Sequence, residues 1–165
     1  MKVAFTIIIF ISVLLFTSAT QAKSVLKDTS SSRSLHITYS IPLAKLVPNY
    51  KFFIAIGRCE QPGRGKWGIA WHQKGASYPG GLGVWAPLWT EKDISARRFA
   101  VSADRATPVE QMIHAQMIIN KYGEYAWGCT GVALASTSVK PVSNRYLRWA
   151  SMVVYNRNHP MKRTT

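Results

Sequence analysis

Acidic residues are scarce in this chain. Seven Asp and Glu stand against 21 Lys and Arg, a formal charge of +14. That imbalance points to an anionic partner: nucleic acid, an anionic membrane or an anionic envelope polymer. Cysteine is scarcer still, with only Cys59 and Cys129, too few for a Cys-based zinc site. The histidines (His36, His72, His114, His159) are scattered, and no His-Glu-x-x-His stretch occurs, so no metal-hydrolase motif is visible. There is no Gly-x-Ser-x-Gly elbow and no glycine-rich loop ending in Lys-Ser or Lys-Thr, which removes the usual signs of serine hydrolases and nucleotide sites. No internal repeat is present. The apolar run Val3 to Phe16 is short for a membrane span.

That run has a different reading. Lys2 precedes it, and small and polar residues ending Ala19-Thr20-Gln21-Ala22 follow it. A basic start, a short apolar core and an A-x-A-like site predict a secretory signal peptide over residues 1–22. Export makes nucleic acid a poor partner and an envelope polymer a better one. It also places two thiols in an oxidising compartment, where they are expected to pair. A bond between Cys59 and Cys129 closes a long loop and would contribute about 4 kcal/mol in the chain-entropy model.

Residues 23–48 read as a linker and lead-in, with a serine run at Ser30 to Ser32 and weak alternation from Leu35 to Ile41. Asn49 is a candidate N-cap. From Tyr50 onward, Phe52, Phe53, Ile56 and Cys59 predict a largely buried helix of about three turns, stopped by Pro62-Gly63. Glu60 then falls in the last turn, beside a cysteine and ahead of an aromatic, glycine-rich stretch, and is the candidate catalytic acid. In residues 63–89, Trp71, Tyr78, Gly81 and Trp85 are the candidate sugar contacts: indole and phenol faces suit sugar rings, and glycine admits a ligand to the backbone. Ile69 to His72 is a possible short strand. Trp67, Trp89 and Trp127 are divided between core and ligand.

Residues 90–106 read as a basic surface loop. Thr107-Pro108-Val109-Glu110 then announces a helix, with Thr107 as N-cap, Pro108 at the first helical position and Glu110 closing a capping box. That role removes Glu110 as a catalytic candidate. The methionines that follow fill core, His114 is a core or helix-face residue, and Gly123 ends the helix. Residues 131–165 read as a basic extension in which 142–157 could form a short helix or strand, either a wall- or membrane-adhering arm or a disordered tail.

In order, Cys59-Glu60, Gly80-Gly81-Leu82-Gly83, Trp89, Ala106-Thr107 through Glu110-Gln111 and Ala115, and Trp127-Gly128-Cys129 resemble the resuscitation-promoting-factor-type, transglycosylase-like domain of actinobacteria and their phages. The likeness spans residues 49–130. It implies an α+β, mostly helical, lysozyme-like domain with a short β element, the disulfide Cys59–Cys129, and Glu60 as catalytic acid. The implied substrate is peptidoglycan, with anionic wall polymers as further partners through the basic surface, and no metal or cofactor. The family often carries Ser-Gly-Gly after the glutamate, Gln where Gly83 stands and Thr where Leu88 stands, so the lining of the implied cleft differs here. Two-carboxylate glycosidases place a second acid across the scissile bond. Glu91, Asp93, Asp104 and Glu124 lie in no evident cleft motif, which favours a single-acid lytic transglycosylase over a hydrolase. A wall-binding protein without activity and a membrane-active basic protein are the alternatives from other classes.

Overall fold

The computed structural model describes residues 41–94 and 99–159, all within one compact unit. The expected signal peptide, the linker up to residue 40 and the tail from residue 160 lie outside the described residues. The described chain is mostly helical: α1 (Leu43–Leu46), α2 (Tyr50–Glu60), α3 (Ala86–Thr90), α4 (Pro108–Tyr122), α5 (Thr130–Leu134) and α6 (Asn144–Asn158). None of the described helices is long and apolar enough to cross a membrane.

Helix α2 forms where the apolar spacing predicts and buries Phe52, Phe53, Ile56 and Gly57. Gly57 is required there, because a Cβ would stand 2.7 Å from Ile69 Cδ1 and 3.0 Å from the Gly81 carbonyl. Asn49 stands at the N-cap position, yet its side chain does not cap. Its amide donates to Gln116 Oε1 (2.7 Å) and to the Lys140 carbonyl (2.9 Å), and its Oδ1 accepts from Lys140 N–H. Helix α4 is the central element. Its capping box is formed as the sequence dictates, with Thr107 Oγ1 accepting from Glu110 N–H and Glu110 Oε2 accepting from Thr107 N–H. Met112, Ile113, Ala115 and Ile118 are buried along it, and so is His114.

Among the described residues the expected β element comes down to a single antiparallel bridge, Pro62↔Ile69. The physical cause is local. Pro62 has no N–H to give to a ladder. Between the bridged residues, Trp67 takes φ +62° and Gly68 φ +76°, turning the chain back at once. A tryptophan in the left-handed region is costly, on the order of 1–2 kcal/mol. Arg58 Nε holds that turn by donating to the Trp67 carbonyl at 2.7 Å.

The C-terminal segment is corrected as well. Residues 144–158 are neither a separate arm nor a disordered tail. They form α6, whose Leu147, Ala150, Ser151 and Val154 are buried against the domain, with Asn158 Nδ2 donating to Glu110 Oε1 at 2.7 Å. Leu46 and Val47, within the expected lead-in, also belong to the core, as do Ile94 and Phe99 from the expected surface loop.

Candidate active site

Glu60 is the last residue of α2, and its neighbours come from two distant segments. Cys59 is bonded to Cys129, with the two Cα atoms 6.0 Å apart across 70 residues. That bond brings residues 127–129 to the end of α2. The Cys129 N–H then donates to Glu60 Oε1 at 3.0 Å. Gly128 flanks the same oxygen, since a Cβ there would lie 3.7 Å from Oε1.

The third wall is the loop Gly81-Leu82-Gly83, fixed at two points by buried polar side chains. Gln111 on α4 accepts from Gly81 N–H (2.8 Å) while its amide donates to the carbonyls of Trp71 (2.9 Å) and Ala106 (3.1 Å). The Trp127 indole donates to the Leu82 carbonyl at 2.8 Å. Clamped in this way, the loop presents Gly83 to the carboxyl: a Cβ there would lie 3.8 Å from Glu60 Oε2 and 3.7 Å from Gln61 Nε2. Gly83 has φ +58°, a conformation natural to glycine. Among the described residues, Oε2 has no hydrogen-bond partner. One carboxyl oxygen is held by backbone and the other is left beside a side-chain-free surface.

The sequence-based sugar contacts divide. Trp71 is buried, and its indole N–H is given to the Lys66 carbonyl at 2.8 Å. Gly81 is also buried; its N–H serves Gln111, and a Cβ would collide with Ile69 and Trp71 at 2.7–2.8 Å. Gly81 has no face left for a ligand, and Trp71, 3% exposed, keeps only the edge that borders a concavity shared with Arg64 and Lys66. Tyr78 and Trp85 are exposed, at 57% and 49%. The glycines that do flank Glu60 are Gly83 and Gly128, together with Gln61, which sequence reasoning passed over. The signal was there in part, since Gly83 and Gly128 both lie in the stretches that carry the family resemblance. Trp89 and Trp127 are core, whereas Trp67 is half-buried, edge-on to Trp71 at a ring separation of 5.8 Å.

The remaining described carboxyls are mostly committed. Glu91 accepts from Lys121 Nζ and from Tyr122 (2.8 Å), and the Lys121 bond above all holds its carboxyl below the usual range. Asp93 shares Lys121 at 3.2 Å, Ser102 Oγ donates to Asp104, and Glu110 serves its capping box and Asn158. Glu124, on the short 3-10 turn Glu124–Ala126 just ahead of Trp127, is the one whose side chain has no hydrogen bond within the described chain. No group of three or more His, Cys, Asp or Glu among the described residues is arranged to hold a metal ion.

Concavities of about 510, 610 and 500 Å³ lie elsewhere, and Glu60 lines none of them. The first is bordered by α4 and the start of α6, the second by His72, Ser102 and Asp104, and the third by Arg64, Lys66 and Trp71. No protein-family model, curated protein or solved structure matches this chain.

Proposed function

We propose that this chain is a secreted peptidoglycan-cleaving enzyme, a lytic transglycosylase that cuts the bond between MurNAc and GlcNAc with Glu60 as its single acid. The observation that carries the reading is the asymmetry of the Glu60 carboxyl, with Oε1 held by Cys129 N–H and Oε2 free beside Gly83. An acid needs one oxygen held and one oxygen free to carry the proton, and the arrangement supplies both. In the acid form Oε1 would accept the Cys129 N–H and Oε2 would carry the proton. Oε2–H would protonate the glycosidic oxygen as the bond to the anomeric carbon breaks. The amide then supports the carboxylate that results. That carboxylate removes the proton of the MurNAc 6-hydroxyl, whose oxygen closes on the anomeric carbon to give the 1,6-anhydro product. The substrate's N-acetyl group is suited to steady the cation between the two steps.

The ordered resemblance to the resuscitation-promoting-factor-type domain supports the same reading, because its separate pieces converge here: Cys59-Glu60, the Gly81 to Gly83 loop, Gln111, and Trp127 to Cys129. A muramidase-type hydrolase is the near variant. It would need a second carboxyl, for which Glu124 is the residue to examine. A wall-binding protein without activity is the second reading, motivated by the departures from the family's cleft residues at Gly83 and Leu88.

Mass spectrometry of peptidoglycan incubated with the protein and with Glu60→Gln tests the proposal. Anhydro-muropeptides from the parent alone support it. Reducing-end products point to hydrolysis, and no products with intact wall binding in both proteins support the binding reading.

A further inference from the structure

Helix α6 has two apolar faces, and only one is used by the fold. At about 100° per residue, Leu147, Ala150, Ser151 and Val154 occupy an arc of roughly 100°, and these are its buried residues. Trp149, Met152 and Tyr155 lie on the far side, 39%, 55% and 37% exposed. Arg145 and Arg148 fall in the same arc as these three, about 120° wide, and both are exposed. The helix carries three arginines and no acidic residue. Two acids lie near the helix: Glu110 faces inward and is bonded to Asn158, and Asp93, which borders the same concavity as Arg148, is paired with Lys121. The rings are held in place: Trp149 packs against Tyr146 at 5.2 Å and Tyr155 stacks on His159 at 4.4 Å.

We propose that this outer face of α6 docks on an anionic phospholipid surface. Indole and phenol rings beside arginines suit the headgroup boundary of a bilayer, where the rings enter the apolar edge and the guanidinium groups meet phosphate. Met152, the most exposed of the three apolar side chains, is a weak partner for a glycan and a good one for acyl chain. Charge complementarity selects the anionic surface, for a chain of +14 whose docking helix carries no acid of its own and whose neighbour Asp93 is paired with Lys121. The helix would lie along the surface rather than cross it.

The test is co-sedimentation of the full chain with vesicles of phosphatidylcholine alone and of phosphatidylcholine mixed with phosphatidylglycerol, at low and high salt, with insoluble peptidoglycan in parallel. Binding is expected to the phosphatidylglycerol vesicles and to fall as salt rises. Arg145→Gln and Arg148→Gln should each weaken it roughly fivefold. A triple variant, Trp149→Ser with Met152→Ser and Tyr155→Ser, should weaken it about tenfold or more. All five side chains are exposed, so the variants are expected to keep the fold, which circular dichroism checks. The arginine variants leave the apolar face intact and test the proposal even if the triple variant unfolds. The apolar run Val3 to Phe16 is the same in every protein, so the differences report α6 alone. Unchanged vesicle binding in the variants overturns the proposal. So does a parent that binds peptidoglycan but not vesicles, which would give the face to the wall instead.

Discussion

Cys129 holds Glu60 twice. Its backbone N–H donates to Glu60 Oε1 at 3.0 Å, and its sulfur is bonded to Cys59, the residue before Glu60. The disulfide therefore aims the candidate acid as well as stapling the chain.

Glu60→Gln keeps an oxygen to accept the Cys129 N–H, so the fold and thermal stability should be little changed. Loss of the proton donor should lower peptidoglycan cleavage by about 100- to 10,000-fold. Product yield measured by mass spectrometry checks this, and cleavage within a few-fold of the parent would remove Glu60 as the acid.

Reduction of the disulfide, or Cys59→Ala with Cys129→Ala, releases a 70-residue separation. In the chain-entropy model the expected cost is about 4 kcal/mol. Denaturation in urea with and without reductant reads it. Thiol titration of the native secreted protein should find no free thiol.

The two glycines beside the carboxyl should respond differently. Gly83→Ala puts a side chain into a φ of +58° and a methyl next to Oε2, so stability should fall by about 1 kcal/mol and activity should fall with it. At Gly128 no left-handed φ is involved, and the added Cβ would sit 3.7 Å from Oε1, in ordinary contact. Gly128→Ala should leave stability within about 0.5 kcal/mol. Equal loss of stability in both would contradict the assignment.

Gln111 satisfies three buried backbone groups, on Gly81, Trp71 and Ala106. Gln111→Leu strands all three and should cost about 3 kcal/mol or more. Because Gln111 positions the Gly81 to Gly83 loop, peptidoglycan cleavage should fall at temperatures where the variant is still folded. Urea titration followed by an activity assay separates the two effects.

His114 sets an expected pH dependence. It is fully buried beside Trp89, and neither ring nitrogen has a hydrogen-bond partner among the described residues. Burial pushes its pKa down to about 4. The backbone groups of Ile94 and Leu88, near the ring but not placed for a well-formed hydrogen bond, and the Glu91 carboxylate pull the other way. The unfolded chain, with an ordinary histidine near 6.5, takes up the proton first as pH falls. The stability that the neutral ring contributes is therefore present above about pH 6.5 and is lost on the way to pH 4. About 2 kcal/mol should disappear between pH 7 and pH 5. His114→Leu should flatten that slope in urea denaturation at the two pH values, and an unchanged slope would assign it to other groups.

The helices that announce themselves locally were legible in the residues. Thr107-Pro108-Val109-Glu110 encodes its own cap, and the α2 spacing with Pro62-Gly63 encodes both a helix and its end, so each rests on interactions a few residues long. The pairing of Cys59 with Cys129 was also within reach, because two cysteines allow one intramolecular bond. The sequence could not show that Trp71 and Gly81 would be consumed by packing while Gly83 and Gly128 flank the carboxyl. Those outcomes depend on Gln111 and Trp127, 30 and 45 residues from the groups they hold. Nor could it choose helix over strand for residues 144–158 or show that they fold onto α4, since a stretch with three arginines and three aromatic residues reads as an arm until its one buried stripe finds a matching helix. Composition and short-range pattern determined which segments become helices and where the acid stands. Long-range hydrogen bonds and packing decided what faces it, because those energies exist only once distant segments meet.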